Sequence, residues 1–516
     1  MEVHQAITPV QRFFATFFVG LGTLLITLDQ FIANVSIPSI SGELGVSQDQ
    51  GAWVITSFTV ANAIMVPLTG WMTTMIGRVR LFCLATILFA ITSWLCGLSV
   101  SMPMLVFFRV LQGLASGGLI PLSQTLLMLI FPPEKKGVAI GFWGLVVMIG
   151  PAMGPVLGGW ITDHYGWAWI FYVNVPIGFM AGIFTYFLLS RFESPRKKVP
   201  IDAIGLGLFV IGISSLQVML DKGNDLDWWR SHFIVTLTIT SIVSLSFFVV
   251  WELFHPTPVI DLSFFKSRNF TLGSITTSIT MLFLFGSFIL VPLWVQAQLG
   301  YTPLWAGYTL APIGVFAIFL FPLVGLIIHY LDLRIWIAIS FILFALTFFW
   351  FSSLNIDATF WQIAGPRFFQ GIGFALFYIP LTTISIEGIP EHRMPSAAGL
   401  FSFIRILFIS IGVTFSMTLW IRGQAFFQSR IVENVIPANP AYGEYLADLQ
   451  STIGIQGRTA DAFLNEMVIN QSYTLSLLDI FYLSAWSFIA LLFLLFTFKT
   501  KKKEPLASIE TPQIAE

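Results

Sequence analysis

The chain has 516 residues, of which 56% are hydrophobic and only 10% charged, with a mean hydropathy of +0.85 and a formal net charge of −1. Soluble domains carry roughly a quarter charged residues, so this composition excludes a soluble fold and implies an all-α polytopic membrane protein. A charge so close to neutral also excludes nucleic acid as a partner.

Windows of apolar residues long enough to span a bilayer predict six segments near 14–38, 51–71, 81–100, 103–128, 138–161 and 168–190. A pair follows near 203–221 and 232–253, then six more near 271–294, 304–328, 335–353, 359–384, 397–421 and 475–498. The first apolar run is too long for a signal peptide and lacks a small-residue cleavage site, so it reads as a retained anchor. The only cysteines, Cys83 and Cys96, lie in one span about 20 Å apart along a helix, which excludes a disulfide between them. Fourteen spans place both termini on one side. With that side inside, about 17 Lys and Arg fall in inner loops and tails against 5 in outer loops, which satisfies the positive-inside rule and makes 499–516 a basic cytoplasmic tail. Arg109, Arg367 and Arg405 fall within spans.

The stretch Phe107 to Pro121 places Arg109 in an apolar segment, followed by Gln112, Gly113, Gly117 and Gly118. It returns about 258 residues later with Arg367, Gln370, Gly371 and Gly373. Gly141 and Gly154 fall on Gly399 and Gly412 at the same offset, and Pro67-Leu68 on Pro322-Leu323 at 255. Ile170-Phe171-Tyr172 recurs as Ile480-Phe481-Tyr482 at 310, the jump being absorbed by a long outer segment, 422–474. The chain therefore divides into a six-span bundle over 1–190, two inserted spans with linkers over 191–270, and a second bundle over 271–498. Within the outer segment, Tyr442 to Ile453 and Arg458 to Ser472 read as short amphipathic helices, suited to docking another protein or to capping the surface.

Several motifs then resemble those of the fourteen-span drug:proton antiporters of the major facilitator superfamily. Leu28 to Pro38 is similar to the first-span motif, although Phe31 stands where Thr is usual. Gly70 to Leu81, with Gly77 and Arg78, resembles the loop motif between spans two and three, but Thr74 replaces its usual acid and leaves the cytoplasmic latch in question. Arg109 to Gly113 resembles the proton-transfer motif. Gly150 to Gly159, with Gly154, Pro155, Gly158 and Gly159, resembles the antiporter motif of span five, and Trp167 to Gly178 completes the set. The closest likeness is to the EmrB-type inner-membrane pumps. It implies a major facilitator fold of two six-helix bundles plus two inserted helices, and proton-driven antiport of hydrophobic or amphipathic toxic compounds across the bacterial inner membrane. No cofactor beyond the proton gradient and no enzymatic activity is implied. The implied partners are an EmrA-type periplasmic adaptor, an outer-membrane channel, and membrane lipids, which Arg78 and Arg80 would meet at the inner surface. Two other readings are export of one lipid-like or siderophore-like compound, and a non-transporting scaffold; the paired arginine motifs argue against the scaffold.

A guanidinium in hydrocarbon is costly unless paired or wetted, so Arg109 is a functional candidate. Asp29 is the only carboxylate well inside the first six spans, and at 1.5 Å per residue it shares a depth with Arg109. In the facilitator fold both spans line the central cavity, so the expectation is that Asp29 carries the coupling proton, Arg109 tunes it, and a drug cation competes there. The alternative is a static polar clamp. Asn34, Gln112, Arg367 and Gln370 are candidate polar cavity residues. Arg405 and Asp479 read as packing or snorkelling residues. The glycines and Pro155 of span five are expected to break that helix and seal the interface between the halves, with Gly70 and Gly113 also packing helices. Phe283, Phe285, Phe288, Phe374 and Phe377 are candidates for an apolar pocket. No histidine falls mid-span, and neither a GxxxxGK[ST] nor an HExxH motif occurs, which leaves ATP drive and zinc chemistry without support.

Overall fold

A computed structural model describes residues 7–498, except 52, 133–134, 197–201, 225, 257, 259, 329–330, 391–392, 437–438 and 454–456. The expected basic tail, 499–516, lies outside the described residues. Fourteen long helices follow the predicted order. The first bundle comprises α1 (Pro9–Glu43), α2 (Trp53–Ile76), α3 (Arg78–Gly97), α4 (Met102–Ile130), α5 (Lys136–Tyr165) and α6 (Asn174–Leu189). The inserted pair is α7 (Ala203–Lys222) and α8 (His232–Phe254). The second bundle comprises α9 (Arg268–Gln298), α10 (Pro303–Ile327), α11 (Leu333–Ser352), α12 (Phe360–Ile386), α13 (Met394–Val432) and α14 (Arg458–Leu495). Thirteen of them are long and apolar enough to cross a membrane. The remaining one, the 30-residue α5, packs along both α1 and α10.

The repeat seen in sequence is a repeat of packing. In the first half α1 pairs with α5, α2 with α4, α3 with α4 and α6; in the second half the same pairings recur with every helix advanced by eight. Glycine explains one of them. A Cβ on Gly113 would strike the Phe58 carbonyl of α2, and one on Gly371 would strike the Ile313 carbonyl of α10. The two glycines are 258 residues apart and the two carbonyls 255, so each half uses the same close helix crossing.

Three details differ from expectation. First, α4 is interrupted, running Met102–Ser116 and then Leu119–Ile130, because the Gly117-Gly118 pair lacks the side chains that hold a helix; at Gly117 a Cβ would collide with Met65 of α2. Second, α5 is continuous through Gly154, Pro155, Gly158 and Gly159 and is not broken there. Its Gly150, Gly154 and Gly158, four residues apart, face Thr27, Phe31 and Ile32 of α1 within the same half, while Gly159 is buried. Across the halves, Pro155 does face α10, its backbone against Gly307, and Gly144 lies against Phe321. Third, α13 and α14 continue well beyond the predicted spans. The expected second amphipathic helix is the first part of α14, since no proline or glycine interrupts 458–475; the other stands alone as Pro440–Ile453.

The loop motif after α2 also resolves. Gly77, at φ +98°, lets the chain turn into α3. The Glu193 carboxylate then accepts from the Val79 and Arg80 amides at 3.1 and 2.9 Å, and Ser194 Oγ from the Arg78 amide at 3.2 Å. An acid from beyond α6 thus caps the positive end of α3. Thr74 bonds only back to the Gly70 carbonyl, and around Gly70 there is open space. The expected close packing at Gly70 is therefore absent.

Because a methyl on Gly158 would meet the Ile32 carbonyl, Gly158→Ala should force α1 and α5 apart and cost about 1–3 kcal/mol. In detergent its thermal unfolding midpoint should fall by several degrees, while Gly42→Ala, in open space on α1, should leave the midpoint unchanged.

Candidate transport site

The Phe107 to Pro121 segment enters the bundle as α4, and its polar residues turn inward against α1, α2 and α6. Arg109 and Asp29, 1% and 0% exposed, form an ion pair at 2.5 Å. Arg109 also donates through Nε to the Val54 carbonyl of α2 at 2.8 Å and through Nη1 to Gln112 Oε1 at 2.8 Å. Gln112 and Asn174 donate to the second carboxylate oxygen of Asp29 at 3.1 and 2.9 Å. Asn174 reaches on to Ser93 of α3, whose hydroxyl donates to the Phe171 carbonyl. The guanidinium lies 4.3 Å from the Phe58 ring centre. Every polar atom of Asp29 is thus matched by a donor, which is what allows a charge pair to persist without water.

Sequence reasoning brought Asp29 and Arg109 to one depth, and the structure joins them. It does not put them on the cavity wall. The cavity between the halves takes Thr27, Gln30, Phe31 and Asn34 from α1, and at 100° per residue Asp29 sits on the opposite face. Gln112 is buried with Asp29, so of the four expected polar cavity residues only Asn34 lines the cavity.

The second half contains a reduced copy. Arg367 donates to Ser287 Oγ at 3.0 Å, to the Ser287 carbonyl at 2.9 Å and to Gln370 Oε1 at 2.6 Å, and lies 4.7 Å from the Phe351 ring centre. Arg367 and Gln370 are buried, away from the cavity. Ser287 stands 258 residues after Asp29, at the repeat position of the carboxylate. Among the described residues Arg367 therefore has no acidic partner, and its Nε has no hydrogen-bond acceptor. The repeat offset already contained this correspondence.

The cavity is walled by α1, α2, α7, α9, α12 and α13, with Ile120 of α4 and Val147 of α5. Of the candidate pocket residues, Phe285, Phe288 and Phe374 line it; Phe377 belongs to an aromatic core with Phe341 and Phe344, and Phe283 packs against Phe415. Toward the face where α2 ends and α13 begins, Ala63, Ile64 and Val66 join one apolar cluster with Leu400, Phe401 and Ile404; Tyr378 stacks on Phe374 and lies tilted against Trp143 and Phe321. Arg405 donates to the Tyr378 hydroxyl and lines the floor, so it is a cavity residue and not a snorkelling one. Asp221 and Gln217 of α7 complete the wall near the opposite face. Neither was legible beforehand, because an acid at a span end normally reads as solvated.

Two bundles related by a parallel repeat around a central cavity, each held by a buried arginine, define a membrane transporter. Residues 19–413 match the Major Facilitator Superfamily, and the chain belongs to that family, among its EmrB-type members. It is 42% identical over 493 residues to "Multidrug export protein EmrB" of Escherichia coli strain K12, covering 95% of this chain and 96% of that one. It is also 42% identical to "Fatty acid resistance protein FarB" of Neisseria gonorrhoeae, covering 92% and 94%. Among solved structures, the POT family transporter PepTSo superposes with a TM-score of 0.57 at 15% identity, covering 94% of this chain and 99% of that one. A bacterial homologue of the lysosomal transporter Spinster, solved inward-facing, does so at 0.55 and 16%, covering 95% and 98%; both show the shared fold alone.

If Arg367 lacks only an anion, Ser287→Asp should supply one and raise the thermal midpoint by about 2–4 °C, whereas Ser287→Ala should lower it. Differential scanning fluorimetry of the two variants checks both signs.

Proposed function

We propose that the protein is a proton-driven antiporter that exports hydrophobic or amphipathic compounds across the bacterial inner membrane, its basic loops facing the cytoplasm. The relatives' names support the class of cargo, and the apolar cavity between the halves supports the route. The observation that carries the coupling is the buried ion pair of Asp29 and Arg109 in the first bundle. Protonating Asp29 would remove the charge that Arg109 is matched to, and a change of that size in a low-dielectric interior cannot leave α1 where it was. Helix α1 carries Asp29 on one face and Thr27, Gln30, Phe31 and Asn34 on the other. Proton and cargo therefore act on the same helix from opposite sides, and exchange proceeds through α1, not through competition at Asp29.

A second reading, export of one lipid-like acid, draws on Arg405 at the cavity floor, where a guanidinium would receive a carboxylate. The tripartite arrangement draws on the extensions of α13 and α14 and the Pro440–Ile453 helix, which present Phe426, Val432, Phe463 and Met467 outside the bundle as a surface for an adaptor.

Asp29→Asn keeps the shape and one acceptor but cannot cycle a proton. In proteoliposomes it should retain cargo binding and lose gradient-driven efflux by about tenfold or more, the effect of removing roughly 1.4 kcal/mol of coupling. Undiminished efflux by this variant would sink the proposal.

A further inference from the structure

The inserted helix α7 reaches the cavity at its outer end. There Asp221 Oδ1 accepts from Thr414 Oγ1 of α13 at 3.1 Å and from Gln217 Nε2 at 3.4 Å. Its other oxygen, Oδ2, is buried and has no hydrogen-bond partner. Nearby, Asn224 donates to Thr418 of α13 at 2.8 Å, and the Lys222 ammonium lies 5.7 Å from the ring centre of Trp53 on α2. The end of α7 thus bridges helices from the two halves. Among the described residues lining the cavity, Asp221 is the only acid and Arg405 the only base. The same cavity has an aromatic wall: Phe31 to Phe285 at 5.9 Å, Phe285 to Phe288 at 5.1 Å.

We propose that Asp221 is the recognition site for the positive group of cationic amphiphiles, with their apolar bodies lying on Phe31, Phe285 and Phe288. The assignment rests on the exporter reading above and names one of its cargo classes. Thr56, Thr414 and Gln217 supply only neutral donors, and the nearby cation, Lys222, lies over the Trp53 ring and makes no hydrogen bond to Oδ2, so that oxygen remains open to a further positive group. Arg405 does not cancel this site. It lies nine residues before Thr414 on α13, about 14 Å along the helix axis. By the inverse-distance law its repulsion of a cation held 4 Å from Asp221 is about a third of the attraction. The inserted pair, which the two-bundle repeat does not require, then has a defined role: it carries a charge into the seam between the halves.

The test is calorimetric titration of the purified full chain with tetraphenylphosphonium and with tetraphenylborate, two ions of the same shape and opposite charge. Asp221→Asn should weaken phosphonium binding by about tenfold or more while leaving borate binding unchanged or tighter, and Asp221→Glu should keep phosphonium affinity within about threefold of native. Equal phosphonium affinity in native protein and Asp221→Asn overturns the assignment; so does an equal loss for both ions, or absence of phosphonium binding to native protein. Gradient-driven efflux of a neutral dye by the native chain is measured alongside. Efflux together with any of those three results removes the Asp221 site and leaves the exporter reading standing, whereas selective phosphonium binding without efflux supports the site and removes the exporter reading.

Discussion

A guanidinium held inside a helix bundle must be given, from the protein, everything that water would have given it, and in the first half that requirement organises the whole bundle. Arg109 is met by a carboxylate from α1, a backbone carbonyl from α2, an amide from its own helix and aromatic faces from α2 and the segment before α6. Asn174 and Ser93 extend the network to α6 and α3. Only α5 stands outside it, and α5 is attached to α1 by a different device, a row of glycines at four-residue spacing. The rotation of α1 is thereby fixed from two directions. With Asp29 committed to the bundle, the opposite face is what remains for the cavity.

The second half shows what happens when one element of such a network changes. Ser287 replaces the acid, and Phe351 stands at the repeat position of Ser93. Arg367 survives on neutral dipoles and two aromatic faces, surrounded by a core in which Phe344, Phe348, Phe481 and Phe488 pack ring to ring at 5.1–5.8 Å. Neutral dipoles and ring quadrupoles stabilise a cation less than a carboxylate does, but they do not titrate. The first half therefore keeps an ion pair in its core, whereas among the described residues the second keeps an arginine without an acidic partner. The halves share a fold and a packing scheme while differing in how the buried arginine is balanced.

Most of the architecture was legible because hydropathy and the arginine repeat are one-dimensional signals. A bilayer-length apolar run predicts a span whatever its neighbours are, and a shared offset of 258 predicts paired helices without saying how they turn. What the sequence left open was rotation. Helix α1 carries two polar faces, Thr23, Thr27, Gln30 and Asn34 on one and Asp29 on the other, and the spacing alone did not tell which would face the cavity and which the bundle. The same limit applies to Gly150, Gly154 and Gly158, whose spacing marks a close crossing but not the identity of the partner, and to Arg405, which has the same sequence context whether it snorkels or lines a cavity. The lengths of α13 and α14 were missed because helix continuation outside the membrane depends on the absence of breakers, not on hydropathy.

Asp29, within one bundle, and Asp221, at the cavity wall, differ in their relation to motion. Facilitator-type transport proceeds by rigid rocking of one bundle against the other around a central site. The hydrogen-bond partners of Asp29 among the described residues all lie in one bundle, so rocking leaves its network intact. Asp221 is bonded to α13 of the second bundle while its neighbour Lys222 lies over Trp53 of the first, so relative movement of the outer ends of α2 and α13 must alter its surroundings. A charge in the seam is sensitive to which way the cavity opens; a charge within one bundle is not. Binding energy gained at Asp221 in one arrangement and lost in the other is the differential affinity that moving a bound cation across a membrane requires.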